Sequence, residues 1–265
     1  MLIFIMDLSI IIPVYNSSNI LKKLIKQIIL ILNKNLIKSF EIILINDNSK
    51  DLSWITIKQL SKKYKNVKGL NLKSNFGQHS AIFAGMKNSK GKKIVTMDDD
   101  LQHSPQYIIK IYNSLNNFDL CYAFYSKRKH NFWKKLASQL NNIYASFIFN
   151  KSFKIYISSF RGFTADVKNK CIKYKGIVIF LDSLLLKNST KKNLIKIIHR
   201  KRFSGKSNYN FKKLFRLLFD SIENFHFFPL RLGSLIGIIS YFIVRFLRFF
   251  SRSKKFQFQI LEKTF

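Results

Sequence analysis

The first hundred residues repeat one arrangement: a short apolar run, a polar turn, then a segment whose apolar residues recur at helical spacing. Residues 8–13 form an apolar run closed by Pro13 and read as a buried strand. Ser17, Ser18 and Asn19 follow as N-cap candidates, and Leu21, Leu24, Ile25, Ile28, Ile29 and Leu32 then mark one helix face. Residues 41–46 read as a second buried strand ending in Asp47-Asn48-Ser49, and residues 53–64 as a helix. Residues 67–72 supply a third strand, Asn75-Phe76-Gly77 a turn, and residues 81–86 a short helix. Residues 94–97 are a fourth strand, with Asp98, Asp99 and Asp100 at its C-terminal end; Pro105 suits the first turn of the helix beyond. This alternation predicts an α/β fold, a mostly parallel sheet flanked by helices on both faces. Ligands of such sheets bind beyond the carboxyl ends of the strands. Tyr15-Asn16, Asp47 and the acidic run all fall there and are expected to share one cleft. No short-period repeat is visible, and after about residue 125 the pattern becomes less regular and more basic.

At 265 residues the chain has room for one sizeable domain and an appendage, and a hydrophobic content of 47% suffices for a core. The 27 Phe residues are many for a simple soluble domain. Lys and Arg number 47 against 13 acids, a net charge of +34. Such a charge predicts an anionic partner: nucleic acid, a phosphorylated substrate or a membrane surface. The competing explanation is compositional drift, because Lys, Ile, Asn and Phe are all abundant, as an AT-rich coding sequence would make them. The Lys residues are scattered, whereas the Arg residues cluster late. Nucleic acid is disfavoured as a partner: the aromatics lie in buried patterns or near the C-terminus, not interleaved on a stacking surface. Cys121 and Cys171 are far apart and lack metal-like spacing, which fits two small buried hydrophobes in a reducing compartment. The apolar start has no basic n-region and no cleavage site and runs straight into the first strand, so no signal peptide is expected.

The acidic run is the sharpest chemical feature. Adjacent carboxylates raise one another's pKa and destabilise a fold, yet this chain places 3 of its 13 acids together. A hard divalent cation, Mg2+ or Mn2+, removes that cost, because carboxylate oxygens suit both. A solvated acidic turn is the bland alternative; it fits poorly with so basic a chain and with a buried strand immediately before the run. A cation with open positions can bridge two phosphates and stabilise a leaving diphosphate as a Lewis acid. No GxxxxGK[ST] or GxGxxG loop is present, which argues against P-loop NTPases and dinucleotide enzymes.

Four segments in order, Ser9-Ile-Ile-Ile-Pro-Val-Tyr-Asn16, Ile45-Asn-Asp-Asn-Ser49, Asn75-Phe-Gly-Gln-His79 and Thr96-Met-Asp-Asp-Asp-Leu-Gln-His103, resemble family 2 glycosyltransferases of the GT-A fold. The likeness is strongest to the branch that moves sugar from a nucleotide-sugar to a polyprenyl phosphate, of the dolichol-phosphate-mannose-synthase and bacterial undecaprenyl-phosphate type. Ile157-Ser-Ser-Phe-Arg161, His199-Arg-Lys-Arg-Phe-Ser-Gly-Lys-Ser-Asn-Tyr209 and Pro229-Leu-Arg-Leu232 resemble that branch too, so the likeness covers roughly residues 7–240. It implies that Asp98 and Asp100 hold the metal with Gln102 as a further ligand, and that Asp99 is the variable middle residue. Pro13, Tyr15, Asn16, Asp47 and Gly77 would serve the donor, with Pro13, Tyr15 and Asp47 lining its base and ribose pocket. The family usually has an acid at position 17, paired acids at 46–47 and Gly at 48, where this chain has Ser17, Asn46-Asp47 and Asn48. Asn can accept hydrogen bonds and tolerate unusual backbone angles.

Between Asp182 and Asp220 there is no acid but eleven Lys or Arg. This stretch reads as a phosphate-binding surface, or more simply as a solvated helix face. Arg200 and Arg202 are the best phosphate candidates, since guanidinium grips phosphate in a bidentate way. Arg128, just after the strand ending near Tyr125, is a second candidate, and Arg161 can face the same cleft. His79, His103 and His199 read as structural or hydrogen-bonding residues. A phosphate acceptor is already anionic and needs no general base, whereas a sugar hydroxyl would need one. Asp182 is the candidate for that role, or for a contact to sugar or acceptor.

The resemblance and the pattern together divide the chain into a GT-A domain (residues 1–210), an amphipathic juxtamembrane helix (211–230), a membrane-embedded or single spanning helix (231–250) and a basic tail (251–265). Residues 232–244 are thirteen uncharged residues, short of the roughly 20 that a span needs. Arg231 and Arg245 can snorkel at the two ends. Bacterial relatives commonly carry two spanning helices; a second is missing here, so a truncated or monotopic protein is expected, with a buried core helix as the soluble alternative. The expectation is an inverting, metal-dependent transferase at the cytoplasmic face of the membrane, with a nucleotide-sugar donor and a polyprenyl phosphate acceptor. Transfer to a saccharide or lipid hydroxyl and a non-catalytic membrane-associated binding protein are the competing readings, and the sequence leaves an oligomer open.

Overall fold

The computed structural model describes residues 6–125, 158–176, 180–198, 241–244 and 260–264. The chain divides into two compact units, one of Met1–Tyr174, Leu181–Lys206 and Phe258–Phe265, the other of Lys175–Phe180 and Ser207–Gln257. In the second unit the described residues include a helical turn at 241–244. The expected juxtamembrane and membrane segments otherwise lie outside the described residues.

The first unit is built on an eight-stranded sheet: β1 (Met6–Val14), β2 (Phe40–Asn46), β3 (Val67–Leu72), β4 (Gly91–Thr96), β5 (Leu120–Tyr125), β6 (Arg161–Thr164), β7 (Lys192–Ile197) and β8 (Ile260–Lys263). Their order across the sheet is β7-β5-β6-β4-β1-β2-β3-β8. β4, β1, β2 and β3 are mutually parallel, β5 pairs with β7 in parallel, and β6 and β8 are antiparallel to their neighbours. The expected mostly parallel α/β sheet is therefore present, with two antiparallel strands inserted by distant parts of the chain.

Among the described residues of this unit the helices are α1 (Ser18–Lys34), α2 (Ser53–Lys63), α3 (Gln78–Asn88), α4 (Tyr107–Ser114), α5 (Ala165–Cys171) and α6 (Leu181–Lys187). The core explains why β1 and β2 lack polar alternation. Leu8, Ile10, Ile12 and Val14 pack with Leu21, Leu24, Ile25 and Ile28 of α1 on one face. On the other, Gly85 of α3 lies so close to Ile11 and Ile45 that an added Cβ would stand 2.6 Å from Ile11. Strands covered on both faces read as continuous apolar runs. Cys121 and Cys171 are buried free thiols, as expected, and burial pushes them up to about 11 and about 12.

Several local expectations shift. The helix expected at 81–86 extends over Gln78–Asn88, and Pro105 stands in the turn that leads into α4. Ser17 occupies the N-cap position of α1, but its side chain makes no capping bond. The Ser18 N–H is taken instead by Asp51 Oδ2 at 3.0 Å, from the loop after β2. The tail expected to be a basic appendage contributes β8 to the sheet.

Candidate active site

In the sheet order β3-β2-β1-β4, the chain builds outward from β1 on one side and then places β4 on the other. Such a reversal opens a crevice at the carboxyl ends of the two strands, where doubly wound proteins bind ligands. Tyr15-Asn16 leave β1 there and the acidic run leaves β4. Three non-glycine residues with positive φ stand in these loops: Asn16 at 55°, Asn48 at 54° and Leu101 at 60°. The Asn48 backbone takes the left-handed form that Asn tolerates better than most residues.

The loops after β1 and β2 are stitched together. The Asn16 N–H donates to Ser49 Oγ at 3.0 Å, the Lys50 N–H to Asn16 Oδ1 at 2.8 Å and the Ser17 N–H to Ser53 Oγ at 3.0 Å. Asp47, only 4% exposed, accepts from the backbone amides of Phe76 at 2.7 Å and Gly77 at 2.9 Å. Its carboxylate thus holds the turn into α3, where Gly77 has φ 87° and a side chain would be strained. Any contact of Asp47 with a nucleotide comes on top of that clamping bond pair.

The three carboxylates of the acidic run point three ways. Asp98 accepts from Gln78 Nε2 and from Ser159 Oγ, each at 2.6 Å. Asp100 accepts the Gln102 N–H at 3.0 Å. Asp99 reaches across the switch point, its Oδ2 accepting the Tyr15 N–H at 3.2 Å and the Ser17 hydroxyl at 2.5 Å. Desolvation pushes Asp99 up to about 7, against the pull of its bonds from Ser17 and Tyr15; the Asp98 and Asp100 charges add to the rise. Behind the run, His103 is buried and stacks on Phe160 with ring centroids 4.9 Å apart, and Thr96 Oγ1 donates to the Ser159 carbonyl at 2.7 Å. Residues 158–160 therefore buttress the turn.

This donor set fits a hard cation shared with a phosphate ligand. Among the described residues no three His, Cys, Asp or Glu side chains form a complete metal cage. Mg2+-type ions are commonly held by one or two carboxylates, with substrate phosphates and water completing the shell. Asp98 and Asp100 offer two, and each ionised carboxylate has about four acceptor directions, so the bonds to Gln78 and Ser159 leave Asp98 able to ligate. Gln102 stands on the same turn.

Asp182 is placed differently from its expected role. It is 3% exposed and forms an ion pair with Arg161, itself 2% exposed; the Tyr122 hydroxyl donates to the same carboxylate at 2.9 Å. Burial alone would pull the guanidinium down, but Asp182 and Tyr122 hold it above its ordinary value. Burial, with the Asp182 charge, pushes the Tyr122 phenol well up, and desolvation holds His79 below its usual range. Asp182 is thus a buried ion-pair partner and not an open base, and Arg161 is turned toward it. Arg128, His199, Arg200 and Arg202 lie outside the described residues.

Sequence reasoning missed Gln78 and Ser159 as orienting groups, and it assigned Asp99 to a variable position and Ser17 to a helix cap. The bond geometry sets a clear expectation for Asp99. Asp99→Ala leaves the Tyr15 amide and Ser17 hydroxyl without their acceptor and should cost about 1–3 kcal/mol. Asp99→Asn keeps an acceptor oxygen and should stay near wild type. Denaturant melts of the two variants check this.

Comparison with known proteins shows the family and the fold. The pattern of glycosyl transferase family 2 matches residues 9–171. An undecaprenyl-phosphate 4-deoxy-4-formamido-L-arabinose transferase from Pectobacterium atrosepticum is 30% identical over 235 residues, 88% of this chain and 72% of the relative. The enzyme of the same description from Salmonella choleraesuis is 29% identical over 236 residues, covering 87% and 71%. Among solved structures, glucosyl-3-phosphoglycerate synthase from Mycobacterium tuberculosis, in complex with Mn2+, UDP and phosphoglyceric acid, superposes with a TM-score of 0.57. At 12% identity, over 82% of this chain and 78% of that one, this likeness speaks for the fold. The matched region runs from β1 to the end of α5 and encloses the whole acidic turn, and the chain belongs to glycosyl transferase family 2.

Proposed function

We propose that the protein transfers a sugar, with inversion, from a nucleotide-sugar to a polyprenyl phosphate of the undecaprenyl type at the cytoplasmic face of the membrane. The observation that carries this reading is the pair Asp98 and Asp100 at the switch point, directly across from the loop of Tyr15 and Asn16. The relatives supply the acceptor class, since those named above are undecaprenyl-phosphate transferases similar over most of this chain.

The residues divide the work as follows. Asp98 and Asp100, with Gln102, would hold Mg2+ or Mn2+. When bound, the cation would neutralise the diphosphate as the bond from the anomeric carbon to its oxygen breaks. Gln78 and Ser159 fix the Asp98 carboxylate, which matters because metal ligands left to rotate lose affinity. Asp99 ties the acidic turn to the Tyr15 loop. Pro13, Tyr15, Asn16, Asp47 and Gly77 are assigned to the donor, and Arg128, Arg200 and Arg202 to phosphate. The acceptor oxygen attacks the anomeric carbon as an anion, because a phosphate monoester loses its second proton near pH 6, so no base is required. The engagement of Asp182 with Arg161 accords with a reaction that needs none.

The test is product analysis with purified protein in detergent, undecaprenyl phosphate, Mn2+ or Mg2+ and a panel of nucleotide-sugars that includes a UDP-linked 4-deoxy-4-formamido-arabinose. The expected product is a lipid that carries the sugar and one negative charge and releases the sugar in mild acid. A neutral glycoside, or no transfer to lipid phosphate with any donor, sinks the reading.

A further inference from the structure

Two asparagines at the carboxyl ends of β2 and β3 form a bonded pair inside the protein. Asn46 and Asn71 stand opposite each other in the parallel register, and both are buried. Asn46 Nδ2 donates to Asn71 Oδ1 at 2.7 Å, and Asn46 Oδ1 accepts the Ser49 N–H at 3.3 Å. A backbone N–H can only donate, so Ser49 fixes which way the Asn46 amide faces, and Asn46 in turn fixes Asn71. Position 46 thus needs an amide, one end for each partner; a carboxylate would turn an oxygen toward Asn71 Oδ1. Gly69, on the same face of β3 as Asn71, lies against Ile57 and Trp54 of α2. The pair therefore sits on the α2 side of the sheet, on the two strands beyond β1, and not on the β1 and β4 ends that open the crevice.

What the pair holds is the turn 46–49, and the loops assigned to the donor hang on that turn. Asp47 follows Asn46 directly, and its carboxylate takes the Phe76 and Gly77 amides. Ser49 Oγ accepts the Asn16 N–H, and Asn16 Oδ1 accepts the Lys50 N–H. Asn16 and Asn48 both have positive φ, a conformation that persists in a non-glycine residue only where its surroundings impose it. Resting on the reading that Tyr15, Asn16, Asp47 and Gly77 serve a nucleotide-sugar, we infer that Asn46 and Asn71 are positioning residues for donor binding, acting through the 46–49 turn. Without the Asn46–Asn71 bond the turn is loosened in the free protein, and the nucleotide must order it on binding, which weakens affinity. Asp98 keeps its bonds to Gln78 and Ser159, so the rate at saturating donor should change little.

Calorimetric titration of the full chain in detergent with UDP, GDP and dTDP, each with Mn2+, tests this, with donor KM and kcat measured alongside. Asn46→Leu and Asn71→Leu should each raise the Kd of the nucleotide that wild type binds, and the donor KM, by about ten-fold, with kcat nearly unchanged. Asn71→Asp keeps an acceptor for Asn46 Nδ2 and should stay within about two-fold of wild type. Adding Asn46→Asp to it sets two carboxylates face to face and should weaken binding at least as much as leucine does, so the aspartate series gives the answer if a leucine variant fails to fold. Ser9→Ala is the control for general loosening. Ser9 is buried in the same sheet, donating to Glu41 at 2.7 Å and accepting the Gly91 N–H at 2.8 Å, and its loss should lower the melt without moving Kd. Wild-type affinity in the leucine variants and the double aspartate variant, or an equal rise in Kd for Ser9→Ala, overturns the inference and leaves the proposed reaction standing. Wild-type protein that binds none of the nucleotides removes the inference together with the proposed donor.

Discussion

Asp100→Asn should cut turnover by about 10²–10³-fold or more while leaving the melting temperature unchanged. The substitution removes one negative charge and keeps an oxygen where Oδ1 now accepts the Gln102 N–H, so the turn retains that bond. What it removes is the charge with which the side chain would hold a cation against a diphosphate. Asp98→Asn is a less clean experiment. Asp98 accepts from Gln78 on one oxygen and from Ser159 on the other, so in the amide the Ser159 hydroxyl would have to turn from donor to acceptor. Its effect would mix lost metal affinity with a displaced β6 loop. For Asp100→Asn the diagnostic measurements are kcat and the Mn2+ concentration at half-maximal rate, set beside a melting curve. A fall in rate with a higher Mn2+ requirement and an unchanged melt supports the metal role. Wild-type turnover in this variant would end it.

The parts of this site that the sequence displays are those made by neighbours in the chain. Apolar runs such as residues 8–13 and 41–46 reveal buried strands because burial on both faces leaves no polar positions, and polar residues at their ends mark the cleft. The parts it hides are made by partners far apart. Ser17 has the composition and position of a helix cap, and nothing local shows that its hydroxyl goes to Asp99, 82 residues away. The run of three Asp residues reads as one acidic feature, yet adjacent side chains leave the backbone in different directions. The structure accordingly gives Asp99 to the β1 loop, Asp98 to Gln78 and Ser159, and Asp100 to its own turn. β8 is hidden for a related reason. It is four residues long and joins an edge strand about 190 residues earlier in the chain, so its attachment is a property of the pair and not of the segment.

Asp182 offers the largest expected change in stability and also decides between two roles for one carboxylate. Removing one member of a buried ion pair costs about 3–5 kcal/mol, because the remaining charge stays out of water without its partner. Asp182→Ala would strand the Arg161 guanidinium, whose Nε already has no hydrogen-bond partner, and would take the acceptor from the Tyr122 hydroxyl. A lower denaturant midpoint with unchanged steepness should report that loss. Replacing the group together, as Arg161→Met, Asp182→Leu and Tyr122→Phe, leaves no charge or hydroxyl to satisfy and should regain most of it, since apolar replacements of buried pairs are often neutral or better. A catalytic base would behave in the opposite way. Asp182→Asn would then preserve the melt, abolish turnover and remove the acid limb of the pH–rate profile, and the triple variant would be dead however stable. With Asp182 buried against Arg161, the stability loss and its recovery are the expected result; a dead, fully stable Asp182→Asn enzyme would return the carboxylate to the reaction and reopen a hydroxyl as the acceptor.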